Sequence, residues 1–112
     1  MTTTLRFLRE YVRPRADAVE IHELRYDREG EPLTARLYRP AGRRGSLPTW
    51  VMLHGLTWHG AAHPSLHRFA RAVSAAGAAV LVPDVPEWRR LEVAPAVTAP
   101  SLSGAIDAAC EA

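Results

Sequence analysis

Two apolar runs dominate the chain: Thr49-Trp50-Val51-Met52-Leu53-His54 and Ala78-Ala79-Val80-Leu81-Val82. Neither alternates with polar residues, which is the pattern of strands covered on both faces in a parallel sheet. Between them lie a glycine-containing loop, Gly55 to Gly60, and a helical pattern. In that helix Leu66, Phe69, Ala70 and Val73 share one face, and His67, Arg68 and Arg71 lie away from it. Ser65 is placed to cap its start and Gly77 to stop its end. The segment therefore predicts a strand-loop-helix-strand unit. Parallel strands require such a crossover, and open α/β sheets bind ligands beyond the carboxyl ends of their strands. Those ends carry His54-Gly55 and Asp84.

The remaining pattern arranges itself around this unit. Val19 to Tyr26 is rich in β-branched and aromatic residues but changes phase near His22, whereas Leu33 to Tyr38 alternates cleanly. Together they predict an antiparallel hairpin turned through Asp27-Arg28-Glu29-Gly30-Glu31, with Gly30 free to take a positive φ. Ahead of it, Leu5, Leu8 and Val12 recur at helical spacing with Phe7 and Tyr11 beside them, and Pro14 ends the pattern. Residues 1–17 thus form a helix and connector whose aliphatic stripe is expected to pack on the sheet, with a partner-binding or membrane-surface helix as the alternative, and residues 18–112 form the α/β unit. Pro40 to Pro48 and Val85 to Arg90 read as loops. A last helix is expected to begin after Thr98, with Pro100 in its first turn and Leu102, Ile106 and Ala109 as its apolar face.

Composition narrows the chemistry. All fourteen basic residues of the 112 are arginine, interleaved with twelve acids to a net charge of +2. No basic stripe follows, so no nucleic-acid partner is expected. Gly55 and Gly60 have the glycine spacing of a phosphate loop, but without a lysine nothing reaches the phosphates. Asp84 sits where a ribose-binding carboxylate would, yet no G-x-G-x-x-G precedes it, and a nucleotide-binding half-fold stays only as an alternative. His54, His59, His63 and His67 crowd one region; only His63 and His67 have the separation of a helix face, with Pro64 between them. No metal and no cofactor is expected, and His59, His63 and His67 are read as solvated or loop-ordering imidazoles. The single Cys110 forms no internal disulfide, and no apolar run approaches the roughly 18 residues that span a bilayer. A cytoplasmic protein without a membrane partner is expected.

His54-Gly55-Leu56 carries the most specific chemistry. Glycine at the end of a buried strand lets the chain turn sharply, so that the next backbone N–H can point into the crevice and stabilise an oxyanion. His54 would order that turn and would not act as a general base. Pro48 to Gly55, the helix Leu66 to Ala76, the Gly77 stop and Ala79-Val80-Leu81-Val82-Pro83-Asp84 together resemble the N-terminal part of an α/β-hydrolase, in the dienelactone-hydrolase-like or esterase-like style. The resemblance implies an oxyanion-hole N–H from Leu56, a loop shaped by His54 and Gly55, and a substrate cleft lined by Trp58 and His59. It also implies a small ester-like substrate in full-length relatives, attacked by a serine.

No G-x-S-x-G is present around Ser46, Ser65, Ser74, Ser101 or Ser103, and every histidine precedes Asp84, the reverse of the family's order. The expectation is a truncated α/β-hydrolase with an incomplete sheet, inactive by itself, which self-associates through an unpaired sheet edge. The competing reading is a small α/β ligand-binding or interaction module.

Overall fold

The computed structural model describes residues 2–28, 30–54, 63–90 and 95–111. In chain order these form α1 (Thr3–Val12), β1 (Val19–Arg28), β2 (Glu31–Pro40), β3 (Thr49–Val51), α2 (Pro64–Ala75), β4 (Ala79–Pro83), α3 (Pro86–Arg89) and α4 (Pro95–Glu111). One four-stranded sheet has the order β1-β2-β4-β3. β4 runs antiparallel to β2 and parallel to β3, with Trp50 opposite Val80 and Val51 opposite Leu81. α2 is the crossover that returns the chain from β3 to β4.

The hairpin is longer than its sequence pattern. All ten residues of β1 pair with β2, from Val19 opposite Pro40 to Arg28 opposite Glu31. The expected five-residue turn is thereby corrected: Asp27 and Arg28 join the strand, and the connection shrinks to Glu29-Gly30, with Gly30 at φ +84°. The phase change near His22 has a structural meaning. Val19 packs with Tyr38, Val80, Val82, Ala70 and Val73 on the α2 side, whereas Leu24 and Tyr26 pack with Ala35, Leu81, Ala105 and Ala109 on the α4 side. The sheet is the middle of three layers, with α1 and α2 on one face and α4 on the other.

β4 is buried at every position, as its unbroken apolar run predicts. β3, read from the same pattern, is not: Trp50, Val51 and Leu53 are 52%, 45% and 45% exposed, and only three residues are strand. The expectation of two-faced burial from Thr49 to His54 is overturned because β3 ends the described sheet, where a strand has one neighbour and partial cover.

The helices bring four further corrections. α2 opens at Pro64, not after Ser65: His63 is its N-cap, with Nδ1 accepting the Ser65 N–H at 3.2 Å. Proline suits the first helical position because its missing N–H is one the helix would leave unpaired anyway. Its end is as expected, with Gly77 at φ +123°. The loop expected at Val85–Arg90 contains the single-turn α3.

In α4 the helix starts at Pro95, ahead of the expected Thr98, and turns Ala105 to the sheet while Ile106 faces outward. Small residues are needed there, since a Cβ on Gly104 would lie 2.9 Å from Cδ2 of Tyr26.

α1, capped by Thr2 Oγ1 accepting the Leu5 N–H, is rotated away from its expected face. Phe7 meets Phe69 edge-on at 5.3 Å, and Glu10 is buried, while Leu5, Leu8 and Val12 are 54%, 50% and 64% exposed. Glu10 fixes the rotation. Burial alone would push its carboxyl up, but the Arg15 N–H at 3.0 Å and the Arg15 guanidinium at 2.6 Å outweigh it and hold the group below its usual value.

Candidate functional site

The carboxyl ends of β3 and β4 lie side by side because the strands are parallel, and the Met52 N–H continues the pairing to Leu81 O at 2.9 Å. His54, two residues on, is buried. Its Nε2 accepts the Val85 backbone N–H at 2.8 Å, tying the end of one parallel strand to the turn after the other. The ring meets Trp88 of α3 edge-on, with centroids 5.6 Å apart and planes at 83°. Asp84 Oδ1 stands 3.7 Å from Nε2, beyond hydrogen-bonding range. An Nε2 that accepts a backbone N–H carries no proton, so in the neutral ring the proton sits on Nδ1. With the Nε2 lone pair engaged, His54 ties the backbone of the two strand ends together. Gly55, Leu56, Trp58 and His59 lie outside the described residues.

The turn after β4 is held from a second direction. The Asp84 N–H donates to Thr34 O at 3.0 Å. Glu87, the second residue of α3, is buried, and both its carboxylate oxygens lie 3.2 Å from Nη1 of buried Arg28. Arg28 Nη2 also reaches Glu31 at 2.8 Å. This joins the hairpin tip to the segment following β4. A desolvated ion pair stands only where geometry is good and its remaining hydrogen bonds are met, so it fixes position more than it adds stability.

Sequence reasoning missed this pair. Arg28 sat in what read as a turn, Glu87 in what read as a loop, and a separation of 59 residues leaves no local signal.

His67 also departs from its expected solvated state. Its Nδ1 is 2.8 Å from the hydroxyl of Tyr38, which is completely buried on β2. Burial, reinforced by the nearby charges of Arg36 and Arg71, holds the His67 imidazole below its usual 6.5. Burial likewise pushes the Tyr38 phenol up. His63 orders the start of α2, and among the described residues no group of three or more His, Cys, Asp or Glu is arranged to hold a metal ion. Of the serines, Ser74 is buried in α2, while Ser46, Ser65 and Ser103 are exposed on three separate segments. Among the described residues no helix is long and apolar enough to cross a membrane.

No protein-family model and no curated protein matches the sequence. A solved structure does: brefeldin A esterase, described as a bacterial homologue of human hormone sensitive lipase, superposes with a TM-score of 0.54 at 31% sequence identity. The match covers 61% of this chain and 20% of the esterase, so the chain spans about one fifth of that protein's length. The mixed sheet with β4 between β2 and β3, its helices on both faces and this likeness to a lipase-related esterase identify the architecture as a partial α/β-hydrolase fold and support the α/β-hydrolase superfamily.

Proposed function

We propose that this chain carries the oxyanion-binding side of an acyl-hydrolase site, in the esterase-like or dienelactone-hydrolase-like style. Leu56 offers the backbone N–H, His54 and Gly55 shape the loop that aims it, and Trp58 and His59 line the cleft for a small ester-like substrate. The observation that carries the reading is His54: it is buried at the end of β3 and spends its Nε2 on the Val85 N–H. Such an anchor fixes the point from which the oxyanion loop departs, and pre-oriented donors are what stabilise a tetrahedral oxyanion. Serine attack and histidine base catalysis belong to groups that this chain does not bring together, so alone it turns over no ester. A cytoplasmic location, compatible with the exposed free thiol of Cys110, completes the reading.

The test is a titration of isotope-labelled chain with an alkyl phosphonate monoester, followed by amide NMR. The expected outcome is a saturable shift centred on the Leu56 and Trp58 amides, with no turnover of p-nitrophenyl esters and no labelling by a fluorophosphonate. Shifts confined to other surfaces, or stoichiometric labelling of Ser101, would overturn it.

A second reading is favoured by the exposure of Trp50, Val51 and Leu53. Among the described residues β3 pairs only with β4, and an apolar strand with an open edge templates pairing with another chain. Self-association through β3 accordingly accompanies the first reading as a property of the isolated chain. Sedimentation velocity over a micromolar concentration series checks it: a single monomeric species throughout would dismiss it.

A further inference from the structure

The helix α1 has two faces, and the face that its sequence assigns to the core points outward. Phe7, Tyr11 and Glu10 turn toward α2 and the α1–β1 connector, where Arg68 stacks over the Tyr11 ring at 4.5 Å. Leu5, Leu8 and Val12 form a contiguous aliphatic stripe on the opposite side, each at least half exposed. Arg6, Arg9 and Arg13 follow along one flank of that stripe, all exposed. The only acid in residues 1–16 is Glu10, and it is buried and paired with Arg15 and, at 3.5 Å, with Arg9, which leaves Arg6 and Arg13 as the arginines of the flank not engaged with it. The outer surface of α1 is therefore aliphatic and cationic, with no anion of its own. An apolar groove of about 490 Å³ between α1, α2 and β3 lies on the other, inward side of the helix, lined by Thr3, Thr4 and Phe7, and is not part of this surface.

We propose that this face of α1 is a docking surface for an anionic lipid bilayer, on which the helix lies in the plane of the headgroups. An aliphatic stripe flanked by arginines is the composition of an interfacial helix: the stripe enters the acyl boundary while the guanidinium groups meet phosphate. Arginine suits that contact because its planar fork donates to phosphate oxygens and its stem buries along the apolar surface. A second copy of this chain is a poorer occupant, because it would set arginine against arginine. The inference does not depend on the hydrolase reading. It also reverses the expectation that the chain has no membrane partner, which rested on the want of a bilayer-spanning run; a helix lying in the headgroup plane needs no such run.

The experiment is vesicle co-sedimentation of the intact chain with phosphatidylcholine alone and with equal parts phosphatidylcholine and phosphatidylglycerol. Binding is expected to the anionic vesicles and to fall steeply near 0.5 M salt, where the screening length is only about 4 Å. Replacing Arg6 and Arg13 together by Gln should weaken partitioning by roughly fivefold per arginine. The triple change Leu5→Ser, Leu8→Ser, Val12→Ser should weaken it by at least about tenfold. All five positions are exposed and none pairs with Glu10, so both variants are expected to keep the wild-type circular dichroism spectrum and thermal transition. Equal binding to neutral vesicles, wild-type binding by either variant, or no vesicle binding by wild type would overturn the proposal. So would a dimer in the absence of lipid that the serine variant dissociates.

Discussion

β3 and β4 have nearly the same apolar character and opposite fates. Ala79 to Pro83 is buried at every residue, and Thr49 to Val51 is exposed at every residue. The two are hydrogen-bonded neighbours in one sheet, so neither strand propensity nor hydrophobicity separates them. Position does. β4 was inserted between β2 and β3, receives a partner on each side, and is covered by α2 on one face and α4 on the other. β3 has β4 on one side only. An unalternating run thus reports that a strand is suited to two-faced cover; the topology decides whether it receives it.

That contrast can be broken most directly at Leu81, which is 1% exposed in β4. Leu81→Ala should destabilise the fold by about 3 kcal/mol through lost transfer energy and a residual cavity, measured by denaturant unfolding. His54→Ala, at the join between the two strand ends, should cost about 2 kcal/mol, because the buried Val85 N–H loses an acceptor. Asparagine at position 54 with an amide oxygen in reach would recover part of that loss, whereas a wild-type midpoint for His54→Ala would show that the join is dispensable.

A smaller effect is expected from pH. Folding lowers the His67 pKa, so the unfolded chain binds the proton more readily, and stability present above about 6.5 is lost as pH falls toward the folded value. The melting temperature should decline between pH 7 and pH 5, and His67→Gln should flatten that decline. An unchanged slope in the variant would assign the pH response elsewhere. Smallest of all is Val51→Ser in β3, which should alter stability by no more than about 0.5 kcal/mol while reducing self-association in sedimentation. A loss comparable with that of Leu81→Ala would mean that β3 is covered in solution.

The site was legible only in part, and for a reason of scale. His54-Gly55 at the end of a strand and Asp84 at the end of the next could be placed from sequence, because strand ends and glycine turns are local events. What His54 does with its ring depended on Val85, 31 residues away. Arg28 and Glu87 were hidden by a larger separation, and their local contexts read as surface turns. Tyr38 and His67 meet only because α2 lies across β2, a contact no periodicity announces.

The sequence by itself determined the order of α1, the hairpin, β3, α2, β4 and α4, though not their ends or the short α3, that β-α-β is the central unit, and where Gly30 and Gly77 bend the chain. Each of these follows from side-chain period or from the φ values a residue tolerates, and needs no distant partner. Which face α1, β3 and α4 present was decided by tertiary structure, whereas α2 buries Ala70 and Val73 and β4 is covered throughout, as their patterns indicate. Arg15 captured Glu10 and turned the Leu5–Leu8–Val12 stripe outward; Tyr26 pressed on Gly104 and left Ile106 facing solvent; β4 entered the sheet and left β3 at its margin. A hydrophobic period says that a face is apolar, but burial is a property of what lies against it, and that is set by contacts across the whole chain.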